Sequence, residues 1–390
     1  MSTPRPSATM IPNPLRSNDI PREGPGPSPL AFHESLPGYA PTPLIELPEV
    51  ARSLGLSALW VKVESSRFGL PAFKILGASW AAYRELRRLV GAESEPVGGF
   101  APLVQRVAAT GIKRLVASTE GNHGRAVARV ASWLDLDATI LVPRGTARER
   151  VEAIRGERAG VVEVNGSYDD TVESARDLAE EGCLLIQDTA WPGYERIPRW
   201  VVQGYATMFH EVDRQLEHDR RAGPTLVLVQ AGVGSLASAV VIHYRASGRS
   251  TSPVILSVEP VDAAGVQASI HAGRPVEVPG PHRSIMAGLN CGRISSLAWP
   301  VLSAGLDGAL AVEDCHAERA VRDLAAAEIS AGASGAAGLA GLLALRELVA
   351  VGKSEKRSGL EKPSQVLVFC TEGVTDRIAH DRILSRGGSC

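Results

Sequence analysis

Apolar and polar positions follow two rhythms along most of this 390-residue chain. Short apolar runs predict strands, and apolar residues spaced three and four apart predict the helices between them. The predicted strands span residues 58–64, 114–118, 138–142, 161–164, 184–188, 226–230, 254–259, 308–312 and 365–370. The predicted helices span residues 46–56, 75–90, 123–134, 147–158, 168–181, 198–217, 234–246, 262–272, 315–330 and 335–349. This alternation predicts an α/β protein with mostly parallel, twisted sheets and helices on both faces.

Two stretches interrupt the alternation. Residues 1–37 are rich in proline, serine and arginine and lack periodicity, which predicts a flexible N-terminal extension or an arm over the body. Residues 91–99 combine glycine, proline and acidic side chains, a composition typical of a linker. The total length suits one two-domain enzyme.

The composition is ordinary for a soluble globular protein, with 44% hydrophobic and 22% charged residues. A net charge of −2 provides no basic field for nucleic acid or an acidic membrane, so neither partner is expected. The five cysteines are scattered singly, which argues against structural zinc and a disulfide framework and favours a reduced, cytoplasmic compartment. Because we find neither an 18-residue apolar run nor an apolar N-terminal leader, we predict no membrane segment.

One lysine, Lys74, lies among apolar residues directly before a predicted helix. It follows Phe73 within the segment of residues 67–77. Desolvation of its ammonium would lower the pKa and leave a nucleophilic amine, which can form a Schiff base with an aldehyde cofactor. A lysine at a helix N-terminus can also pack its stem and keep its ammonium in water. These residues alone leave both interpretations open.

A glycine-rich turn connects the predicted strand 226–230 to the next helix. Glycines allow close backbone approach to an anion, and the helix N-terminus adds N–H groups and positive dipole, so the turn predicts a phosphate site. Its residues are Gly232, Val233, Gly234, Ser235 and Leu236. The phosphate could belong to a dinucleotide, with Glu259 on the ribose, or to a smaller cofactor. The turn could also be a tight one that binds no ligand.

A second polar turn follows the strand at 114–118. It offers hydroxyls, an amide and a glycine that suit hydrogen bonds to a carboxylate or a phenolic oxygen, and an acid that could exchange protons. The residues are Ser118, Thr119, Glu120, Gly121, Asn122 and His123. Glu120 is the candidate acid or base, whereas an isolated histidine such as His123 is more typical of a structural role.

Three further strand ends carry candidate groups. Asp188 could cap a loop or recognise an ammonium, and the aromatic residues after it are predicted to pack that loop. Residues 331–338 are small enough for close backbone approach, and Cys370 and Thr371 could face a ring nitrogen. Because active sites of parallel sheets lie beyond the carboxyl ends of the strands, these groups and Lys74 predict one pocket.

Together these segments resemble the fold-type II pyridoxal-phosphate enzymes, which include threonine dehydratases, cysteine synthases and the tryptophan synthase β chain. Within that group they resemble diaminopropionate ammonia-lyases. The matching segments are residues 41–44, 62–70, 72–74, 120–125, 187–191, 193–194, 197–200, 203–205, 231–234, 285–289, 334–336 and 371–373. They run through nearly the whole chain in matching order.

The resemblance implies a homodimer of two-domain subunits and a role for each candidate residue. Residues 38–84 and 222–390 would form a large cofactor-binding domain, and residues 85–221 a small domain. Lys74 would hold pyridoxal phosphate as a Schiff base and move the Cα proton, with Phe73 packed nearby. Asn122 would bind the phenolic oxygen, the glycine-rich turn the phosphate, and Cys370 or Thr371 the ring nitrogen. The polar turn and Asp188 would contact an amino-acid substrate.

The implied reaction is α,β-elimination on 2,3-diaminopropionate or a similar β-substituted amino acid, giving a keto acid and ammonia. The family has aspartate at Glu120, glutamate at Ala333, aspartate at Val374 and asparagine at Pro71, so another β-substituted substrate stays open. Within the same cofactor chemistry, β-replacement and racemisation or epimerisation also stay open. A binding protein without activity and an NAD-dependent oxidoreductase are the hypotheses from different functional classes.

Overall fold

The computed structural model describes residues 8–21, 28–93, 95, 98–119, 121–166, 168–178, 181–246, 252–352, 359–360 and 364–386. Its strands are β1 (Ala8–Pro12), β2 (Leu44–Glu46), β3 (Ala58–Val63), β4 (Arg114–Ser118), β5 (Asp137–Pro143), β6 (Gly160–Val164), β7 (Cys183–Leu185), β8 (Leu226–Gln230), β9 (Val254–Pro260), β10 (Gly308–Val312) and β11 (Gln365–Cys370). Its helices are α1 (Pro29–Glu34), α2 (Pro48–Ser53), α3 (Lys74–Leu89), α4 (Phe100–Arg106), α5 (Asn122–Trp133), α6 (Arg148–Arg155), α7 (Tyr168–Asp177), α8 (Arg196–Gly204), α9 (Ala206–His218), α10 (Ser235–Tyr244), α11 (Gly265–Ala272), α12 (Ala298–Gly305), α13 (Asp314–Ala326), α14 (Ala333–Ala350) and α15 (Arg377–Ser385).

The chain divides into two compact units. The first comprises Met1–Glu23, Thr42–Ser66 and Met208–Cys390, and the second comprises Gly24–Pro41 and Arg67–Thr207. Each unit contains its own sheet.

The first unit contains a seven-stranded sheet in the order β1-β10-β9-β8-β11-β3-β2. The five inner strands run parallel to one another, whereas β1 pairs antiparallel with β10 and β2 pairs antiparallel with β3. Strands β8 and β10 are buried at every residue, which explains why the sequence shows them as apolar runs. Strand β3, predicted from its alternating pattern, is also buried at every residue. The mostly parallel, two-faced architecture predicted from the alternation is confirmed.

Helix α14 packs closely on this sheet because it is built from small residues. A Cβ at Gly341 would lie 2.4 Å from Val258 of β9, and one at Gly338 would lie 3.3 Å from the Leu228 carbonyl of β8. Among the described helices of 18 residues or more, α14 is long and apolar enough to cross a membrane, with a mean hydropathy of 1.3. Arg346 and Glu347 interrupt its apolar sequence, so the expectation that no 18-residue run is apolar throughout is not contradicted. Because 72% of the helix is buried, it has the environment of a core helix.

A buried ion pair lies beneath β3 in the same unit. Lys62 Nζ is 2.7 Å from Glu211 Oε2, and neither side chain is more than 1% exposed. The ammonium also donates to the Thr42 carbonyl at 2.7 Å, and the Thr42 hydroxyl donates to Glu64 at 2.6 Å. Buried charges of this kind are tolerated only when they are paired and hydrogen-bonded, and these bonds hold the segment that enters β2 against β3.

The second unit contains a four-stranded parallel sheet in the order β6-β5-β4-β7. Helices α3 and α8 cross beside it with almost no space between them. A Cβ on Gly77 would lie 2.7 Å from Val201, and one on Gly204 would lie 2.4 Å from the Leu76 carbonyl. Glycine is required at both positions because any side chain would separate the helices, and this crossing fixes the first turn of α3.

Several elements differ from the sequence prediction. Residues 8–12 and 29–34, within the predicted flexible extension or arm, form β1 and α1, for which the sequence carries no periodic signal. The predicted helix over 198–217 is two helices, because the Tyr205 N–H bonds the Val202 carbonyl in a tighter turn between α8 and α9. Strand β2 and helices α4, α12 and α15 were not predicted.

The cysteines also differ from their prediction. Cys315, in α13, is disulfide-bonded, so the argument from scattered cysteines against disulfides is wrong for this residue. Cys183, Cys291 and Cys370 are free thiols.

Candidate active site

Lys74 is the first residue of α3, and Asp188 follows β7 in the same unit. Lys74 Nζ is 2.8 Å from Asp188 Oδ2, in a charge-assisted hydrogen bond. The lysine side chain is 25% exposed and the aspartate 10%, so the pair is largely shielded from water. The amine predicted from its apolar neighbours therefore has a carboxylate partner, which the sequence did not pair with it.

The turn before Lys74 adopts a conformation that side chains rarely allow. Phe68 has a φ of 53° and Gly69 a φ of 72°. A left-handed residue that is not glycine costs about 1–2 kcal/mol, so surrounding contacts must hold it. Arg129 supplies one contact by donating to the Phe68 carbonyl at 2.9 Å, and the Phe68 ring packs edge-on against Trp133. These contacts direct the chain into α3 at Lys74.

His123 lies on the other side of Asp188. Its Nε2 is 2.8 Å from the Ile186 carbonyl, so this nitrogen carries the proton and donates it. Its Nδ1 faces Asp188 Oδ2 at 3.8 Å. Burial lowers the pKa of His123, with Asp188 raising it and Lys74 lowering it further. The imidazole is therefore neutral near pH 7.

Asp188 remains ionised in this environment. Burial alone would raise the pKa of Asp188, but charge on His123 and Lys74 and the hydrogen bond from Lys74 lower it well below its usual range. Since His123 is neutral near pH 7, the Lys74 ammonium is the charge that matters there. A carboxylate held in this way attracts cations and does not donate a proton at neutral pH.

The polar turn after β4 is held by the segment that carries Asp188. Ser118 donates its backbone N–H to the Gln187 side-chain oxygen at 3.2 Å, and the Gln187 amide donates back to the Ser118 hydroxyl. The Gly121 N–H donates to the Thr119 hydroxyl at 2.9 Å. Asn122 then begins α5, half-buried. Glu120 lies outside the described residues.

Aromatic residues pack the neighbouring segments, as predicted for the loop after Asp188. The rings of Trp191 and Tyr194 stack with centroids 4.3 Å apart, and the Tyr194 hydroxyl donates to the Leu185 carbonyl at 2.7 Å. Phe73 packs against Tyr205, with centroids 4.7 Å apart. Burial raises the pKa of Tyr205 to about 12, although the nearby Lys74 lowers it, so this phenol stays neutral.

The glycine-rich turn lies in the first unit, between β8 and α10. Gly234 has a φ of +94°, and a Cβ there would lie 2.8 Å from Leu302. A Cβ on Gly232 would lie 3.3 Å from Cys291 Sγ, and the Val233 carbonyl accepts a bond from the Ser295 N–H at 3.0 Å. Packing thus requires glycine at these two positions of the turn, which leads into the N-terminus of α10, the kind of position where proteins bind phosphate groups.

Gln230 links three segments beside this turn and was not singled out by the sequence. Its Nε2 is 2.9 Å from the Thr371 hydroxyl, 3.0 Å from the Phe369 carbonyl and 3.2 Å from the Gly335 carbonyl. At the N-terminus of α14, the Ser334 hydroxyl accepts from the Gly288 N–H at 2.9 Å. A buried amide at the last residue of a strand was the available signal, because such a group must find polar partners.

Comparison with known proteins identifies the family. Residues 36–360 match the model of the family described as "Pyridoxal-phosphate dependent enzyme". The chain belongs to this family.

Its relatives and structural neighbours agree with that assignment. The chain is 36% identical to the diaminopropionate ammonia-lyase of Salmonella typhimurium, over 92% of each protein. It is 38% identical to that of Escherichia coli strain K12, over 88% of this chain and 87% of that one. It also resembles the crystal structure of the Escherichia coli enzyme in complex with an aminoacrylate-PLP azomethine reaction intermediate. The TM-score is 0.83, at 32% identity and 97% coverage of both chains.

Residues of this chain fit pyridoxal phosphate, the cofactor of its family. The glycine-rich turn leads into the N-terminus of α10, the kind of position where proteins bind phosphate groups. Two groups without charge, Cys370 and Thr371, lie at the carboxyl end of β11. Burial raises the pKa of the Cys370 thiol to about 12, so it stays protonated. Thr371 is hydrogen-bonded to Gln230. Either side chain would meet a pyridine nitrogen as a neutral partner, as the resemblance implies.

The structure removes the basis for the dinucleotide hypothesis. Glu259, at the end of β9, is fully buried and accepts hydrogen bonds from the Val266 and Gln267 N–H groups at 2.7 and 2.9 Å. Burial raises the pKa of Glu259 to about 8, although those two bonds lower it. Its carboxyl group caps α11 and is not available to bind a ribose.

The structure brings the candidates together in two groups. Lys74, Asn122, His123 and Asp188 lie in the second unit, and the glycine-rich turn, Cys370 and Thr371 lie in the first. A single pocket containing both groups stays a prediction, as do the individual roles of these residues.

Proposed function

We propose that this enzyme catalyses α,β-elimination on 2,3-diaminopropionate or a closely similar β-substituted amino acid, releasing a keto acid and ammonia. The observation that carries the proposal is the shielded pair of Lys74 and Asp188 at the start of α3. It occurs in a chain 36–38% identical to diaminopropionate ammonia-lyases over about nine-tenths of its length.

Lys74 is the residue proposed to move the proton. When bound, pyridoxal phosphate supplies the electron sink that acidifies the Cα–H of the substrate. Lys74 Nζ would hold the cofactor's aldehyde in the resting enzyme and, once displaced by the substrate amine, accept the Cα proton. The Asp188 carboxylate, 2.8 Å from Nζ, stabilises the ammonium that results.

Asp188 has a second proposed role at the β-substituent. Diaminopropionate carries an amine there, which is a cation when protonated. Asp188 is a buried, ionised carboxylate, so it can place that ammonium next to Lys74. Its lowered pKa makes it a poor proton donor, and the leaving amine already carries its own proton. We therefore assign Asp188 to placing the leaving group and not to protonating it.

The other candidate residues receive binding roles. Residues Gly232, Val233, Gly234, Ser235 and Leu236 would bind the cofactor's phosphate, Asn122 its phenolic oxygen, and Cys370 or Thr371 its ring nitrogen, with Phe73 packed nearby. Ser118, Thr119, Gly121 and His123 would bind the substrate carboxylate side. Glu120 would serve as base on the opposite face, for the other enantiomer.

A substrate panel tests the activity. Purified enzyme with pyridoxal phosphate is given D- and L-diaminopropionate, D- and L-serine and a β-chloro amino acid, and keto acid and ammonia are measured. We expect diaminopropionate to yield both keto acid and ammonia. Substituted amino acids formed with added thiols would indicate β-replacement, and an inverted substrate without keto acid would indicate racemisation. If none of these substrates is turned over, the proposal is contradicted and the hypothesis of a binding protein without activity remains.

Lys74 is tested separately by trapping the cofactor. Reduction of the holoenzyme with borohydride, followed by peptide mass spectrometry, should locate the attached cofactor at Lys74. Lys74→Ala should lose both the covalent attachment of the cofactor and the visible absorbance of the attached cofactor. Lys113→Ala is the matched control, because this lysine is exposed in the same unit. Attachment at another lysine would overturn the assignment.

The homodimer and the cytoplasmic location are further proposals, supported by the family resemblance. Light scattering of the purified enzyme and fractionation of the source cells test them.

A further inference from the structure

Three side chains that can bind metal ions converge on one point of the first unit, outside the candidate active site. His210 and Asp213 are three residues apart on α9, so they share one face of the helix. His243 is on the last turn of α10. One donor atom from each of the three lies within 4.8 Å of the others.

The local packing orients these groups towards each other. His243 Nε2 is 2.9 Å from Asp213 Oδ2, and the histidine side chain is 7% exposed while the aspartate is 33% exposed. The two imidazole rings meet edge to face, with centroids 5.3 Å apart and planes at 83°. Phe209 and Tyr244 pack against His243 at 5.3 and 4.9 Å. The rotation of the His243 ring is therefore restricted while solvent still reaches Asp213.

We propose that His210, Asp213 and His243 form a binding site for a divalent first-row transition-metal ion, with Zn²⁺ as the best fit. Two imidazoles and one carboxylate are ligands that zinc prefers, whereas Mg²⁺ and Ca²⁺ take oxygen ligands. Three protein ligands leave a fourth tetrahedral position for water, which the exposed side of Asp213 allows.

The distances require only small movements to accommodate the ion. Zinc bonds of about 2.0–2.2 Å place tetrahedral ligand atoms about 3.3 Å apart. The 2.9 Å contact between His243 and Asp213 would open by a few tenths of an ångström, and the wider separations, none above 4.8 Å, would close.

The proposed site would stabilise the helix packing of the first unit and would take no part in the proposed elimination reaction. Helix α10 begins at Ser235, beside the glycine-rich turn, and His243 is eight residues further, about 12 Å along the helix. An ion there would fix the C-terminal end of α10 to α9, which should stabilise the folded unit in proportion to ion affinity.

Metal titration of the full-length holoenzyme tests this site. The protein is stripped with a chelator and then titrated with Zn²⁺ in competition with a chromophoric chelator. We expect one equivalent to bind, a raised melting temperature with added Zn²⁺, and the visible spectrum of tetrahedral coordination with Co²⁺. Failure to bind one equivalent of Zn²⁺ would overturn the proposal.

Variants locate the ion. His243→Ala and His210→Ala should each weaken Zn²⁺ binding by at least about 100-fold and abolish the Co²⁺ spectrum. His218→Ala should bind as the parent does, because His218 is exposed on the last turn of the same helix. His210→Asn is a milder change in case truncation disturbs folding, which circular dichroism checks. Unchanged Zn²⁺ affinity in folded His210 and His243 variants would place the ion elsewhere and refute the site.

Discussion

Replacing Asp188 by asparagine keeps the shape of the side chain and removes its charge. The carboxylate lies 2.8 Å from Lys74 Nζ, with 10% of its side chain exposed. At an effective dielectric constant of about 20, opposite charges at that distance attract by about 6 kcal/mol. Desolvation offsets most of this attraction, so the net value of such a charge-assisted hydrogen bond is about 1.5–3 kcal/mol.

This loss converts into a change of rate that can be measured. If the full 1.5–3 kcal/mol is lost in the transition state, Asp188→Asn lowers kcat/KM about 10- to 150-fold. The assay is keto-acid release from diaminopropionate and from a β-chloro amino acid, which carries no positive charge on its β-substituent. Because Asp188 is proposed to place the leaving ammonium as well as to support Lys74, the diaminopropionate reaction should lose more.

The two substrates separate the two roles of Asp188. If kcat/KM falls equally for both substrates, Asp188 only supports Lys74. If kcat/KM falls for diaminopropionate alone, Asp188 only places the leaving ammonium. Asp137→Asn is the control, since its exposed carboxylate, 3.5 Å from Arg114, lies at the other end of the small sheet. If Asp188→Asn stays within twofold of the parent for both substrates, the reasoning from the Lys74–Asp188 pair is refuted.

Three further substitutions test residues that shape the fold around the candidate site. Gly234→Ala, at a φ of +94° with Leu302 2.8 Å from the new Cβ, should weaken pyridoxal-phosphate binding in a cofactor titration while leaving the circular dichroism spectrum intact. Gly77→Ala should destabilise the protein in urea unfolding by about 1–3 kcal/mol, because it overpacks the α3–α8 crossing; Gly98→Ala, with open space around it, should not. For Glu259, the folded-state pKa of about 8 lies above the ordinary value of 4.5. Since the folded state then binds more protons between those values, this group lowers stability as pH rises from about 4.5 to 8. Unfolding curves across that range should show a flatter pH dependence in Glu259→Gln, and an unchanged slope would contradict the shift.

The sequence predicted the inner strands well because each is buried on both faces. Strands β4, β8, β10 and β11 begin and end at the predicted residues. β1 escaped prediction because its pairing partner β10 lies about 300 residues away, and no local pattern records that contact. The break at Tyr205 was missed for a different reason: the apolar periodicity continues through it while the hydrogen bonding changes.

The sequence could predict a residue of the candidate site where one short segment contains the whole chemical signal. Lys74 and the glycine-rich turn have a local signal, an amine among apolar residues and glycines before a helix. The pairing of Lys74 with Asp188 and the links made by Gln230 depend on which strand ends lie side by side. That adjacency is a property of sheet order, and local sequence patterns do not contain it.

The two antiparallel edge strands of the large sheet have a consequence for how the chain folds during synthesis. β1 and β2 come from the first 46 residues, yet β1 pairs with residues 308–312. A ribosome therefore releases the first strand long before its partner exists, and contacts so distant in sequence form slowly. Once β10 has been made, and until β1 pairs with it, β10 would present an open edge that other chains can pair with. Removing the N-terminal strand, as a trimmed expression clone would, should therefore promote aggregation even though every candidate site residue remains.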